Sequence, residues 1–271
     1  ERLSRARMEF RMYRQIALIT ITLCAASAVA QEDGPKVLGP FIGHVTHDAV
    51  TLWARVPPEA GPMELRFRKS AEAEADATLP ARTYEEDDYC ATWTFKDLDS
   101  LTYFAELAPP GEEALAEHTA SVVLPPPPGA MTERPVRLLF VSCAGEKENT
   151  RNAWADMAAL EGIGAYTHGT KPQPATTLVL LGDTPYIDNT RLDIQRQRYR
   201  EFAAVPEFNA LARHVPIYST WDDHDFGRND THGKLRGKEN SRKAFKEYRA
   251  NPSFGDAGEG IYTSFRFGPF E

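Results

Sequence analysis

The sequence has few cysteines, no excess of positive charge and no apolar run long enough to span a membrane, and each shortage excludes a class of protein. With three cysteines in 271 residues, it is not a small fold held together by many disulfides. The formal net charge of −8 argues against nucleic-acid binding. Hydrophobic residues make up 42% of the chain and charged residues 26%, which is typical of a globular protein with one or two domains.

The N-terminal segment 12–30 resembles a secretory signal peptide. Arg14 supplies a positive flank after Met12, an apolar run covers residues 16–29, and Ala28-Val29-Ala30 fits a cleavage site. The run is shorter than the roughly 20 residues that a membrane-spanning helix needs. We therefore expect export to the periplasm or the extracellular space, with no stable membrane span after processing; an uncleaved anchor is the alternative.

Residues 37–124 show the pattern of a small antiparallel β-sandwich. Short alternating apolar runs recur there, separated by Pro, Gly, Asp and Glu. This spacing is typical of an immunoglobulin- or fibronectin-like sandwich, an accessory domain with Trp53 and Trp93 as core aromatics. The proline run at the start of 125–134 predicts a stiff linker and a domain boundary.

Residues 135–271 change to the pattern of an α/β domain. Apolar segments at 136–141, 178–181 and 217–221 read as buried strands. Helical periodicity lies between them, around Trp154, over about 191–202 and near Leu211. Alternating strands and helices indicate βαβ units and a largely parallel sheet.

The residues that carry chemistry follow the ends of these strands. Cys143 follows the first strand, Asp183 and Tyr186 the second, and the acidic run 222–225 with its histidine the third. The carboxyl ends of parallel strands meet at one edge of a sheet, so these groups should converge. Thiolate, carboxylates, phenol and imidazole together form a good shell for a dinuclear metal site. Asp183 can bridge two metals, and Tyr186 would bind as phenolate only to a strong Lewis acid such as ferric iron.

The motifs Gly182-Asp183-x-x-Tyr186 and Trp221-Asp222-Asp223-His224-Asp225 resemble the metal motifs of the PhoD-like alkaline phosphatases. These enzymes belong to the calcineurin-like metallophosphoesterases. The resemblance spans nearly all of residues 37–271. Further matching segments are Ser142-Cys143, Asn229 with Asp230, and the stretch 240–253.

The family fold implied by this resemblance is a four-layer αββα domain, here truncated at its C-terminus and preceded by the β-sandwich. The activity implied is hydrolysis of phosphate mono- and diesters, so the expected partner is a small-molecule or lipid phosphate ester. The implied cofactors are Fe3+ and Ca2+. Cys143, Asp183 and Tyr186 would hold the iron, and Asp183 would bridge to the second metal.

The resemblance also assigns the remaining site residues. Asp222 or Asp223, together with Asn229, would serve the second metal. His224 would contact the phosphate or assist the leaving group, so His224 and Asp223 are the expected catalytic residues. The sequence stops at Glu271, before the Gly-Asp-x-His-type segment that completes both metal sites in the family. The resemblance therefore implies an incomplete catalytic domain.

Three alternatives stay open from the sequence. A secreted binding protein on a degenerate phosphatase scaffold would hold a ligand without turnover, and a phospholipase-type phosphodiesterase would act on lipid esters. In an exported protein, Cys143 could pair with Cys90 instead of binding metal. The sequence leaves the oligomeric state open.

Overall fold

The computed structural model describes residues 36–130, 134–160, 174–255 and 260–271. The predicted signal peptide, 12–30, and part of the predicted linker lie outside these residues. Within the described part, none of the helices has the length and apolar character needed to cross a membrane.

Seven strands in the first part of the chain form two antiparallel sheets, with strand orders β1-β2-β5 and β4-β3-β6-β7. Alternating apolar residues predict six of these strands. The exception is the fourth, whose residues are almost all exposed, so that it lacks the alternation on which the prediction depends. The strands are β1 (Leu38–Val45), β2 (Val50–Arg55), β3 (Glu64–Arg68), β4 (Ala77–Pro80), β5 (Cys90–Phe95), β6 (Thr102–Ala108) and β7 (Thr119–Val123).

Residues from both sheets share one apolar core. Leu52 of β2, Leu65 of β3 and Leu107 of β6 are fully buried in it. The ring of Phe67 stacks on those of Phe95 and Tyr103, with centroids 4.0 and 5.0 Å apart. Two facing antiparallel sheets are the arrangement that the alternating pattern favours. Their immunoglobulin or fibronectin type, and their status as a separate domain, stay predictions.

The second part of the chain is α/β, as predicted. The three strands described there are parallel, in the order β10-β9-β8, and helices follow them. All three strands and the helices around Trp154, over 191–202 and near Leu211 were expected from apolar periodicity; the four-layer arrangement stays a prediction. The elements are β8 (Val136–Val141), α1 (Glu148–Ala158), β9 (Ala175–Leu181), α2 (Leu192–Ala203), α3 (Pro206–Ala212), β10 (Ile217–Thr220), α4 (Asp223–Phe226) and α5 (Lys238–Tyr248).

Trp53 differs from its expected place in the sandwich core. It is buried, but on the opposite face of β2, among residues of the α/β part. Its ring stacks on Phe41 with centroids 5.3 Å apart, and its Nε1 donates to the carbonyl of Glu247 in α5 at 2.6 Å. Strand β2 therefore has two buried faces, one toward each part of the chain. Trp93, by contrast, packs against the core of the two sheets as expected.

Asp88, just before β5, adds a charged link between the two parts. Its carboxylate accepts hydrogen bonds from Arg55 at 3.3 Å, from Arg200 of α2 at 2.6 Å, and from the hydroxyl of Tyr248 in α5. Burial raises the pKa of Asp88, but the hydrogen bonds from Tyr248 and Arg55 and the charges of Arg55 and Arg200 outweigh it, so that the pKa lies below its ordinary value. A charged Asp88 thus ties helices α2 and α5 to the antiparallel sheets.

We expect His214 to make the fold sensitive to mild acid. Its Nδ1 lies 2.9 Å from the hydroxyl of Ser121 in β7, and burial, with the charge of Arg213, lowers its pKa to about 4. An unfolded imidazole binds a proton below about pH 6.5, whereas the folded one resists protonation. This contribution to the free energy of unfolding is therefore fully present above about pH 6.5 and is lost as the pH falls toward 4. At pH 5 the loss amounts to about 2 kcal/mol.

Urea unfolding at pH 7.5 and pH 5.0 measures this loss in the wild type and in His214→Gln. The variant should lose about 2 kcal/mol less than the wild type between the two pH values. Equal losses in both proteins would contradict the assignment to His214.

Candidate metal centre

The three parallel strands bring their carboxyl ends to one edge of the sheet. In register, Val141 of β8 lies opposite Leu180 of β9, and Leu181 opposite Thr220 of β10. Just beyond the strands, the backbone N–H of Cys143 donates to the carbonyl of Gly182 at 3.2 Å. The convergence expected from the topology is therefore present in the structure.

Gly182 allows the loops after β9 and β10 to approach each other closely. Its φ is +99°, and a Cβ at this position would lie 2.6 Å from both the Cβ and the backbone N of Asp222. No side chain fits into that space. Asp183 follows with φ at +52°, in the left-handed region that non-glycine residues rarely adopt. Such backbone conformations cluster at functional sites, where the surrounding structure must hold them.

Asp183 is the centre of the cluster. Its side chain is buried, and its Oδ2 accepts from the Cys143 thiol at 3.6 Å. Its Oδ1 is also buried and has no hydrogen-bond partner among the described residues. A buried carboxylate oxygen without a partner is costly, and a cation is the simplest group that would satisfy it.

Asp183, Asp223 and His224 form a group that could hold a metal ion, because one potential ligand atom from each lies within 4.8 Å of the others. Asp223 and His224 begin the short helix α4, directly after β10. The Asp223 carboxylate also accepts from the backbone N–H of Asp230, which brings the following loop against the site. Carboxylate oxygen and imidazole nitrogen are both common ligands of metal ions.

The carboxylate of Asp188 orients the imidazole of His224. Its Nδ1 lies 2.6 Å from Oδ1 of Asp188. The hydrogen bond to Asp188, with the charges of Asp188, Asp183 and Asp223, raises the pKa of His224, while burial opposes this. The arrangement leaves Nε2 as the nitrogen that can act on a ligand. No motif in the sequence singled out Asp188.

Tyr186 lies beside the cluster, with its ring centroid 4.7 Å from that of His224. Burial, a hydrogen bond with Cys143 and the charge of Asp183 raise its pKa above the ordinary value. In this environment the phenol keeps its proton, so binding as phenolate requires a cation that repays the deprotonation. Cys143 is exposed and, like Cys90, is a free thiol, so the structure has no Cys90–Cys143 disulfide.

Asp222 and Asn229 are near the cluster but engaged elsewhere. The Asp222 side chain caps α4 by accepting from the N–H of Asp223 at 2.9 Å. The Asn229 side chain donates to Asp230 at 2.6 Å. Their roles as ligands of a second metal stay predictions, as does the complete assignment of site residues.

Asp225, the last acid of the run 222–225, supports the loops of the cluster. Its carboxylate is buried and accepts three backbone N–H groups, from Asp183 at 2.5 Å, Thr184 at 2.8 Å and Asp222 at 2.9 Å. The spacing Asp222-x-x-Asp225 was a usable signal, because an N-cap residue followed by an acid three positions later is typical of a capping box.

A cleft of about 540 Å³ lies next to Asp223. Trp221 and Phe226 supply aromatic surface, and their ring centroids are 4.9 Å apart. Lys238 and Arg242 of α5 add positive charge to its lining. A cleft with aromatic surface and a few polar groups, beside a cluster of titratable residues, is typical of a ligand site.

Comparison with models of protein families and with curated protein sequences finds no match. Comparison with solved structures does. The structure of PhoD aligns with 86% of this chain and 49% of its own, at a TM-score of 0.61 and 19% sequence identity. The purple acid phosphatase PPD1 from yellow lupin (Lupinus luteus) seeds aligns with 86% of this chain and 43% of its own. The TM-score is 0.59 and the sequence identity is 13%. The chain thus spans about half the length of each neighbour, and over that span it shares their fold.

Proposed function

We propose that the protein is an exported, metal-dependent phosphoesterase that hydrolyses phosphate mono- or diesters. The observation that carries this proposal is the buried Asp183 carboxylate at the strand edge. One of its oxygens has no partner in the part of the chain that the structure describes, and a potential ligand atom of Asp223 and one of His224 lie within 4.8 Å of this carboxylate. The similarity in fold to two phosphatases supports the reaction class. Export rests on the segment 12–30, and N-terminal sequencing of the mature protein should begin at Gln31.

The residues present fit the proposed cofactors. The unpartnered Oδ1 of Asp183 offers a free oxygen ligand, and Cys143 and Tyr186, both in contact with Asp183, suit Fe3+ as thiolate and phenolate. Asp223, with Asp222 and Asn229 nearby, offers the oxygen ligands that Ca2+ prefers. When bound, the metals would neutralise charge on the phosphoryl group and lower the pKa of water in the site.

Of the three residues in the group that could hold a metal ion, Asp183 and Asp223 are the proposed ligands, and His224 is the proposed proton donor instead. Asp188 accepts a hydrogen bond from Nδ1 of His224 and raises the pKa of that ring, which favours its protonated form. The Nε2–H group is then available to a phosphate oxygen or to the leaving-group oxygen. The cleft beside Asp223 is the proposed place for the alcohol part of the ester, against Trp221 and Phe226.

Metal analysis and hydrolysis assays on the natural full-length protein test the proposal. We expect bound iron and calcium, a visible absorption band from Tyr186 bound to Fe3+, and hydrolysis of p-nitrophenyl phosphate or bis-p-nitrophenyl phosphate that a chelator abolishes. Protein without either metal would overturn the metalloenzyme proposal. Ester binding without turnover would favour the secreted binding protein, and the ratio of the two hydrolysis rates would separate monoesterase from diesterase activity.

Replacing Asp188 with asparagine should lower kcat by about 10- to 100-fold, with little change in KM. An amide at this position can present its NH2 group to Nδ1 of His224, so the ring loses both its orientation and the charge that favours its protonated form. Steady-state kinetics measures the effect. Asp193→Asn, which changes an exposed carboxylate on α2, is the control and should leave kcat unchanged. A fall in both variants alike would contradict the role of Asp188.

A further inference from the structure

Asp225 joins the two loops that carry the candidate ligands. Its Oδ1 accepts from the N–H of Thr184, and its Oδ2 accepts from the N–H groups of Asp183 and Asp222. Asp183 and Thr184 follow β9, whereas Asp222 follows β10. A single buried carboxylate therefore fixes the separation of two strand ends that are about 40 residues apart in sequence.

Other buried polar groups hold Asp225 and its surroundings in place. The guanidinium of Arg249, which is itself buried, donates to the carbonyl of Thr184 at 2.7 Å. Thr184 thus has its N–H bound by Asp225 and its carbonyl bound by Arg249. From α2, Gln195 Nε2 donates to the carbonyl of Asp225 at 2.9 Å and to that of Asn189 at 2.6 Å. The site loops are in this way tied to a helix and to the segment after α5.

The two oxygens of Asp225 serve as a common acceptor for both loops. Three backbone N–H groups converge on this one side chain, and a carboxyl group at this position has an oxygen facing each of them. Because Asp183 has a left-handed backbone with φ at +52°, something must hold it there. Asp225 accepts the N–H of that very residue.

Asp225 is not placed to bind a metal itself. Only 2% of the residue is exposed, and both oxygens already accept hydrogen bonds. We propose that Asp225 is a positioning residue, which sets the metal affinity of the site by holding Asp183 and the Asp222–Asp223 turn in place without contacting the ion. This inference rests on the proposed metal-dependent function.

The test compares metal binding in the wild type and in Asp225→Asn, both as the natural full-length protein. An asparagine keeps the size of the side chain but turns an NH2 group toward at least one of the three N–H donors. Equilibrium dialysis of the metal-free proteins against Ca2+ and against Fe3+ gives the dissociation constants. We expect Kd to rise by about 10- to 100-fold, as for other residues that orient metal ligands, and the Tyr186–Fe3+ absorption band to shift or weaken.

Asn251→Ala is the matched control for a general loss of stability. The Asn251 amide is also buried, but its hydrogen bonds join the N–H and the carbonyl of Ser219 within β10, not the backbone of a site loop. It should lower the unfolding temperature and leave both Kd values unchanged. If Asn251→Ala weakens metal binding as much as Asp225→Asn does, the inference is overturned.

The remaining outcomes separate the inference from the proposed function. A wild type that binds neither metal overturns the proposed function itself. A wild type that binds metal, with a Kd for Asp225→Asn within about twofold of it, overturns only the positioning role. If Asp225→Asn does not fold, Gln195→Leu replaces it, because this variant removes the support from α2 and leaves the carboxylate intact. It should also weaken metal binding, and an unchanged Kd would contradict the inference.

Discussion

Asp183→Asn should weaken metal binding by at least about 100-fold and lower hydrolysis by about 1000-fold or more. The substitution removes the charge of a carboxylate that contacts Cys143 and that, among the residues the structure describes, has a buried oxygen with no hydrogen-bond partner. The fold should survive, because asparagine has nearly the same shape and tolerates the left-handed backbone of this position better than most residues. Metal binding is measured by dialysis against each metal, the hydrolysis rate by enzyme assays, and the stability of the fold by urea unfolding.

Asp156→Asn is the control for this prediction, since it makes the same chemical change at an exposed position on α1. It should leave metal binding, hydrolysis and stability as in the wild type. Retained turnover in Asp183→Asn would refute the bridging role of Asp183. A variant that unfolds would instead show that the carboxylate is needed for the fold.

Gly182→Ala is expected to have the largest effect on stability, about 4 kcal/mol or more of unfolding free energy. Two costs combine at this position. The backbone has φ at +99°, where a Cβ is strained, and that Cβ would lie 2.6 Å from backbone and side-chain atoms of Asp222. To relieve the contact, the ends of β9 and β10 must move apart, which also separates Asp183 from Asp223. We therefore expect weaker metal binding in any fraction that remains folded.

Gly61→Ala isolates the backbone cost from the steric one. Gly61 has a similar φ of +76°, but an added Cβ would have no neighbour within 4 Å. Because ψ of Gly61 is −174°, its backbone lies in a region that is essentially restricted to glycine, and urea unfolding should show a loss of about 1–3 kcal/mol for this control. If Gly182→Ala costs no more than Gly61→Ala, the close approach of the two loops is not the reason for a glycine at position 182.

Much of the fold and the location of the site could be predicted from the sequence. Buried parallel strands leave continuous apolar runs such as 136–141, and the topology alone places whatever follows them at one edge of the sheet. The structure brings Asp183, Asp223 and His224 together for that reason. Gly182 belongs to the motif that carries the resemblance, and the structure adds the reason for a glycine there, since an added Cβ would lie 2.6 Å from Asp222.

The residues that support this site could not be predicted in the same way. Asp188 reaches His224 across 36 positions, and a pair at that separation leaves no local pattern. The role of Asp225 depends on N–H groups of a loop about 40 residues away, although its capping-box spacing was visible. Trp53 was placed on the wrong face of β2, because period-two alternation does not reveal that both faces of a strand are covered.

The two covered faces of β2 bear on how such a protein can evolve. Its inner face belongs to the antiparallel sheets, while Trp53 on its outer face packs under helix α5. A recombination event could exchange the N-terminal sheets for those of another protein. The new sheets would then have to supply an aromatic residue in place of Trp53 and an acid in place of Asp88, which binds Arg200 and Tyr248. Without them, α5 and α2 would lose their support. The two halves of the sequence are therefore expected to be inherited together, not shuffled as independent modules.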